Sequence, residues 1–384
     1  MASAIEASKK PASPAKPKKG RSLWWIVHSW LGLKLSIFLS FILLTGTLAV
    51  FAHEIDWLVT PAMQVTPQDA PQASWGKLAQ AATQADPSAR LQTLYAPIDP
   101  WTAQVTGTHG WANVHRFLRQ VHRHLMLPTR IGIPIVCSLA LLLATSLVTG
   151  IVTYKKWWRG FLRRPRGGDA RRLTGDLHRL GGLWGMWFVA LIAATGIWYL
   201  VETLGGNAPV PKLPQVTTLA PLPTGSVLDR MVELVHRERP TLQIREIRFT
   251  QDNGVIFLGQ DQAWLVRDRA NGLAIDPSTA RVTMSLDGRD LSVHQRISEM
   301  ADPLHFGTAG GLATKIIWFV FGALLTALAV TGATIYTLRL AKEGQAAQRK
   351  LKVVWRGMGA WAYLCTALVL LALALTPGAI VGAS

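Results

Sequence analysis

Five apolar stretches decide what this chain can become. Trp24–Ala52, Ile131–Tyr154, Leu180–Val201, Ile316–Leu338 and Trp361–Ile380 each provide about 20 or more largely apolar residues, the length a helix needs to cross the hydrocarbon core of a bilayer. The chain therefore reads as an integral membrane α-helical bundle. The first stretch is too long and too lightly interrupted for a signal-peptide core and reads as retained. Composition removes the obvious rival. A net charge of +18 suggests a nucleic-acid binder, but 49% hydrophobic residues and 16 tryptophans do not fit a soluble one, so nucleic acid is not expected as a partner. Two cysteines and no C-x-x-C exclude zinc ribbons, thioredoxin-like sites, iron–sulfur clusters and covalently attached c-type haem.

The charge has an address. Residues 1–22 hold six Lys/Arg and one acid, residues 155–179 nine and two, and residues 339–356 six and one, which together hold seventeen of the net positive charges. By the positive-inside rule these segments face the cytoplasm. The expected order is a disordered cytoplasmic tail (1–22) touching anionic membrane lipid, spans at 23–52, 131–154, 180–201, 316–338 and 361–380, cytoplasmic loops at 155–179 and 339–360, and periplasmic segments at 53–130 and 202–315. The C-terminus then lies outside. Each outer segment reads as a small α+β module, helix first. The first pairs a helix over 73–85 with strands at 90–98 and 101–108. The second pairs a helix over 226–239 with strands at 242–250, 254–260 and 273–283, with a turn at Asn271-Gly272.

An internal duplication is visible. A shift of 150 residues lays His28 on His178, Gly32 on Gly182 and Thr45-Gly46 on Thr195-Gly196. A shift of 182 lays Val148-Thr149-Gly150 on Val330-Thr331-Gly332 and Tyr154 on Tyr336. The chain reads as two copies of helix–outer module–helix, forming a four-helix core, plus a fifth helix. The four Thr-Gly pairs read as places where helices approach closely, supporting that core rather than chemistry.

The histidines fall in two layers. His28 and His178 lie at the cytoplasmic ends of helices one and three. His115, His122 and His124 precede helix two on the outer side, and His305 precedes helix four. Each layer draws one histidine from each copy. Facing imidazoles in an apolar bundle are what bis-histidyl b-type haem requires, so two b-type haems are expected. Zinc would want further Cys or carboxylate ligands close by, and none lie near His28 or His178. His122 and His124 are both candidates for the outer ligand; two residues apart on a helix they are turned by about 200°, so only one can face the core. His115 shares the His122 face. Gly32, Gly181, Gly182 and Gly185 would leave room for a flat macrocycle. Arg116, Arg119, Arg123, Arg130 and Arg296 offer charge to haem propionates or to an acidic ligand, or are simply solvated. From His28 to Glu54 is about 39 Å of helix. The outer histidines must therefore dip inward, or Trp187, Trp198 or Trp318 must bridge the layers.

Several of these segments resemble one family. HSWLGL (28–33), LTG (44–46), EID (54–56), VHR (121–123), LHR (177–179), TG (195–196), PLHFG (303–307) and TG (331–332) are similar to the PepSY-associated transmembrane proteins. AIDPSTAR (274–281) resembles a PepSY strand-turn, with Ala280 where glycine is usual. The resemblance spans roughly residues 22–340. It implies a bacterial inner-membrane protein with PepSY-like modules in the periplasm, similar to ferrisiderophore reductases of the FoxB type. It further implies haem ligation by His28, His178, His122 and His305, and Arg123, beside His122, is the arginine expected to contact the haem. Ser29 departs from the arginine that often follows the first histidine, and the extra His124 keeps the outer ligand open among His115, His122 and His124.

The expected function is electron transfer from a quinol or cytoplasmic donor, through two haems, to Fe(III) in a periplasmic siderophore. A non-enzymatic alternative is a membrane-anchored regulator or inhibitor of a periplasmic protease. A transporter would need acidic or broken helices at midplane, which the sequence does not suggest; Lys34 is the lone charge deep in the first span.

Overall fold

The computed structural model describes residues 22–85, 98–107, 113–209, 223–249, 254–341 and 350–381. The basic tail, nearly all of the strand expected at 90–98, and His109 lie outside them. In chain order the elements are α1 (Leu23–Lys34), α2 (Ser36–Ala49), α3 (Ala52–Val59), α4 (Trp75–Ala85), α5 (Val114–His124), α6 (Thr129–Thr153), α7 (Ala170–Trp184), α8 (Met186–Val201) and α9 (Gly225–Glu238). There follow β1 (Gln243–Phe249), β2 (Val255–Gln260), β3 (Gly272–Asp276), β4 (Arg281–Leu286), α10 (Val293–Phe306), α11 (Gly311–Ala341), α12 (Lys350–Met358) and α13 (Ala360–Val381).

Helices α6, α8 with its following turn, α11 and α13 are long and apolar enough to cross a membrane; α1 and α2 qualify only together, bent by 69°. This corrects the continuous first span and the statement that no span is broken. The backbone groups freed at the bend are satisfied, as an apolar medium demands. The Leu33 carbonyl accepts from Ser36 Oγ at 3.0 Å, and the Lys34 carbonyl accepts from Cys365 Sγ at 3.7 Å. Lys34 is placed by the same bend. Its ammonium donates to the carbonyls of Gly357 (2.6 Å) and Met358 (3.1 Å), capping the negative end of α12. Gly359 follows in the left-handed conformation (φ 63°), which ends α12 and starts α13. The fifth span is thus tied to the first half of the chain. The second copy breaks at the matching place: Gly185, 150 residues after Leu35, separates α7 from α8.

The halves interlock. α2 packs on α11 and α6 on α8, each pair joining one copy to the other. Small residues set both approaches. A side chain at Gly196 would lie 2.7 Å from Ala140, and one at Gly322 would lie 2.7 Å from Thr47.

The described residues of the two expected modules pack into a single core. β1–β2–β3–β4 form an antiparallel meander in sequence order, and α9 covers one face through Leu228, Met231 and Val235 against Phe249, Val255, Phe257, Leu273 and Ile275. The first outer segment contributes α4, which adds Ala79 and Trp75 to that core. Ser74 Oγ and Gly76 N both donate to Asp229 of α9, at 2.8 Å. Of the hairpin expected at 90–98 and 101–108, most of the first strand lies outside the described residues, and Ile98 bridges Val105. The strand expected over 273–283 is two strands separated by a turn at 277–280. Asn271-Gly272 starts β3 instead of turning. Its buried Asn271 accepts from Gly288 N at 2.8 Å, so the amide closes a neighbouring loop.

Candidate functional site

The two breaks and the two short outer helices place histidines where long helices pass. His28 is on α1 and His178 on α7, with ring centroids 6.3 Å apart. His122 is on α5 and His305 on α10, also 6.3 Å apart. Each pair joins one copy of the duplication to the other. The outer ring facing His305 belongs to His122. His124 is turned toward α6, where its backbone and Cβ pack on Gly132. His115 stacks on His53 at 3.9 Å. Burial, then His53 and Arg119, hold the His115 imidazole down to about 4, so that ring is neutral near pH 7.

Every one of the four facing rings is gripped by its Nδ1. His28 Nδ1 meets Thr149 Oγ1 (3.2 Å) and the Ser146 carbonyl (3.1 Å). His178 Nδ1 meets Thr331 Oγ1 (2.9 Å), and His305 Nδ1 meets Thr195 Oγ1 (2.8 Å). His122 Nδ1 meets the Ile42 carbonyl (2.9 Å). The threonine hydroxyl protons are already committed to helix carbonyls four residues back: Thr149 to Thr145 (2.7 Å), Thr331 to Ala327 (2.7 Å), Thr195 to Leu191 (2.9 Å). Those oxygens can then only accept, as a carbonyl does. All four imidazoles must donate from Nδ1 and keep a lone pair on Nε2. One tautomer fixed four times by a neighbour's acceptor is how proteins prepare histidine as a metal ligand.

The Thr-Gly pairs are therefore part of the site, which corrects their reading as packing alone. Gly46 lies under His122: a Cβ there would be 2.5 Å from the ring. Cβ atoms at Gly150 and Gly332 would sit 3.5 Å and 3.6 Å from His28 and His178. Gly196 serves packing on Ala140. Among the glycines near the inner pair, a Cβ at Gly32 or Gly182 would meet nothing within 4 Å, whereas Gly181 and Gly185 face Leu324 and pack. Gly32 and Gly182 each follow their histidine by one turn, so the open space is two-fold like the rings.

What can such a pair hold? Two imidazoles bound to opposite sides of one metal, with bonds of about 2 Å, put their centroids about 6 Å apart. Two trans ligands do not complete a protein metal site, and among the described residues no three His, Cys, Asp or Glu converge to hold an ion. The donor set fits a group that brings its own in-plane ligands and needs only two axial nitrogens. Arg123, named for an acidic edge of such a group, is exposed and has no carboxylate partner among the described residues.

The layers are closer than 39 Å. His122 reaches down to Ile42, fourteen residues from His28, or about 21 Å of helix. Between the layers Trp187, Phe188, Trp318 and Phe321 contact one another, with centroids 4.8–6.0 Å apart. Trp318 Nε1 also donates to the Leu304 carbonyl beside His305 at 2.8 Å. Trp198 is at the outer end, bonded to Glu202 (3.1 Å). The tyrosine against the outer pair went unforeseen: the Tyr199 ring lies edge-on to His305 at 5.3 Å. Its one sequence signal was a position four residues after Thr195.

No curated protein matches the chain. The PepSY-associated TM region matches residues 25–339, which takes in all four facing histidines, both helix breaks and the sheet. With four helices long and apolar enough to cross a bilayer among the described residues, and the bent pair α1–α2 that qualifies only together, the chain is a membrane protein that belongs to the PepSY-associated TM family.

Proposed function

We propose that this protein is a di-haem b electron-transfer protein of the bacterial inner membrane, of the ferrisiderophore-reductase type. It takes electrons from the quinol pool or a cytoplasmic donor and reduces Fe(III) held by a siderophore in the periplasm. The single tautomer imposed on all four facing imidazoles is the observation behind this reading. When bound, a b-type haem supplies a one-electron couple whose potential its surroundings tune. His28 and His178 would hold one, His122 and His305 the other. Thr149, Thr331, Thr195 and the Ile42 carbonyl orient those ligands, and Gly32 and Gly182 leave room beside the inner pair. Arg123, exposed near the outer pair, would meet a propionate. The bundle keeps water from both pairs with apolar walls such as Phe38, Ile42, Phe188 and Leu325. Reduction frees the substrate iron because Fe(II) is less charged and softer, and an oxygen-donor chelate holds it more weakly.

Purified protein should be red, with reducible low-spin b-type bands at two haems per chain. His28→Ala and His305→Ala should each remove about one. A colourless preparation from haem-replete cells would leave only the regulatory reading. Red protein that no ferric siderophore reoxidises after dithionite reduction would retain the haems and lose the substrate.

A further inference from the structure

The sheet module holds α10 through arginine contacts, and one guanidinium reaches two carboxylates of that helix. Arg267 lies in the loop between β2 and β3. Its Nε and Nη2 donate to the two oxygens of Glu299 at 2.8 Å and 2.9 Å, and Nη1 donates to Asp302 at 3.0 Å; Nη2 also reaches the Ser298 carbonyl at 3.2 Å. Both carboxylates are on α10, and Glu299 is only 8% exposed. Asp302 lies one turn before His305, and its other oxygen accepts from Tyr199 OH at 2.7 Å. Tyr199 in turn lies edge-on to the His305 ring. Arg269 adds a second contact to Glu299, at 3.0 Å. Arg267 and Arg269 thus balance two carboxylates beside the outer histidine pair, Arg267 alone reaching both, in a place too buried for water to screen them fully.

Resting on the reading above, we infer that Arg267 is a positioning residue for the outer redox centre: it sets the charge beside His305 and so how easily the iron held there is reduced. An unbalanced carboxylate favours the more positive, oxidised iron, and a cation favours the reduced one. The inner pair has no such group from the sheet and is the internal control.

The test is an optical redox titration of the haem-loaded full-length protein, with the outer haem identified as the one that His305→Ala removes. Arg267→Gln should lower the ferrous-to-ferric ratio of the outer haem at a fixed poise by roughly tenfold, the Coulomb loss of one nearby charge. Asp302→Asn should raise that ratio. The inner haem should not move in either variant, and Arg267→Lys should recover most of the shift. A merely structural clamp would move both variants in the same direction or loosen both haems, and either result overturns the inference. So do folded variants with unshifted outer haem. Should Arg267→Gln fail to fold, Asp302→Asn decides alone, by an upward shift confined to the outer haem or none. Wild-type protein that binds no haem would instead defeat the proposed function, and this inference with it.

Discussion

The two halves of the chain are nearly alike inside the bundle and quite unlike outside it. Within the bundle, each half breaks one helix at a matching place, presents one histidine to each layer, and orients it from its own long helix. Outside, the second half builds a four-stranded sheet and its covering helix, and the first gives that sheet one more helix. A pseudo-twofold axis explains the contrast. Where the copies meet on the axis, a change in one ring must be answered by the other. Outside, the copies meet through one helix from each, α4 on α9, and the sheet lies against α9. Even inside, the match is one of roles more than of residues. In the outer layer, half one seats its histidine on Gly46 and a carbonyl, and half two uses the Thr195 hydroxyl. The Trp187–Phe188–Trp318–Phe321 cluster also belongs to half two; the aliphatic flank of half one is covered by α13.

The largest effect should come from breaking the symmetry at a glycine. Gly46→Ala puts a Cβ 2.5 Å from the His122 ring, and that ring cannot retreat without losing its bond to the Ile42 carbonyl. Gly150→Ala puts a Cβ 3.5 Å from His28, an ordinary contact. Overpacking of the first kind costs about 1–3 kcal/mol. Thermal unfolding should show it for Gly46→Ala alone, together with loss of one of the two proposed haems. Equal behaviour of the two variants would mean that His122 is not seated on α2.

A second test separates the two inner histidines. Thr331→Val removes the acceptor that holds His178 Nδ1, whereas Thr149→Val leaves His28 the Ser146 carbonyl at 3.1 Å. Loss of a ligand's orienting partner typically weakens a metal group about 10–100-fold. Haem should therefore leave the Thr331→Val protein that much more readily, by transfer to a haem-binding acceptor, and the Thr149→Val protein much less so. Identical release from both would remove the orienting role of these hydroxyls.

These contrasts explain what could be read from the chain and what could not. Spans, duplication and the histidine layers are local or periodic features, and His28, His178, His122 and His305 announce themselves by type and by the 150-residue shift. The role of the Thr-Gly pairs is not local: Thr149 and His28 are 121 residues apart, and only packing of α1 on α6 joins them. Lys34 misleads for the same reason. A lone charge in an apolar run has no stated partner until α12 ends beside it. The shared core of the two outer segments was hidden for another reason. Helix 73–85 has a real apolar face, but its partner is α9 of the other half, which no pattern within 53–130 could reveal.

The sheet should respond to acid apart from the layers. Hydrogen bonds from Arg289 hold the Asp287 carboxyl down to about 2, against some burial, with Arg239 adding attraction. Asp261 is also held low: burial opposes this, and hydrogen bonds from Thr241 and Arg239 outweigh it. Depressed carboxyl values mean stability that is fully present above the unfolded value of 3.8 and lost as pH falls toward about 2. Amide exchange in β1–β4 should rise across that window in wild-type protein. Asp287→Asn should flatten the rise; an unchanged profile in that variant would detach Asp287 from the sheet's acid sensitivity.

The smallest effect should come at Ala280, and it probes the unduplicated part most cleanly. The turn at 277–280 joins β3 to β4, and Ala280 sits in the left-handed region at φ 52°. A Cβ there crowds its own carbonyl, at a cost of about 1–2 kcal/mol, which glycine does not meet. Glycine loses more conformational freedom on folding, which takes back about 0.5–1 kcal/mol. Ala280→Gly should therefore stabilise the sheet by up to about 1 kcal/mol. Ala280 is exposed, so no packing is given up. Slower amide exchange confined to β3 and β4, with haem content and both potentials unchanged, is the expected result. A stabilisation that also moved the outer potential would show that the sheet's own rigidity, and not Arg267 alone, reaches His305.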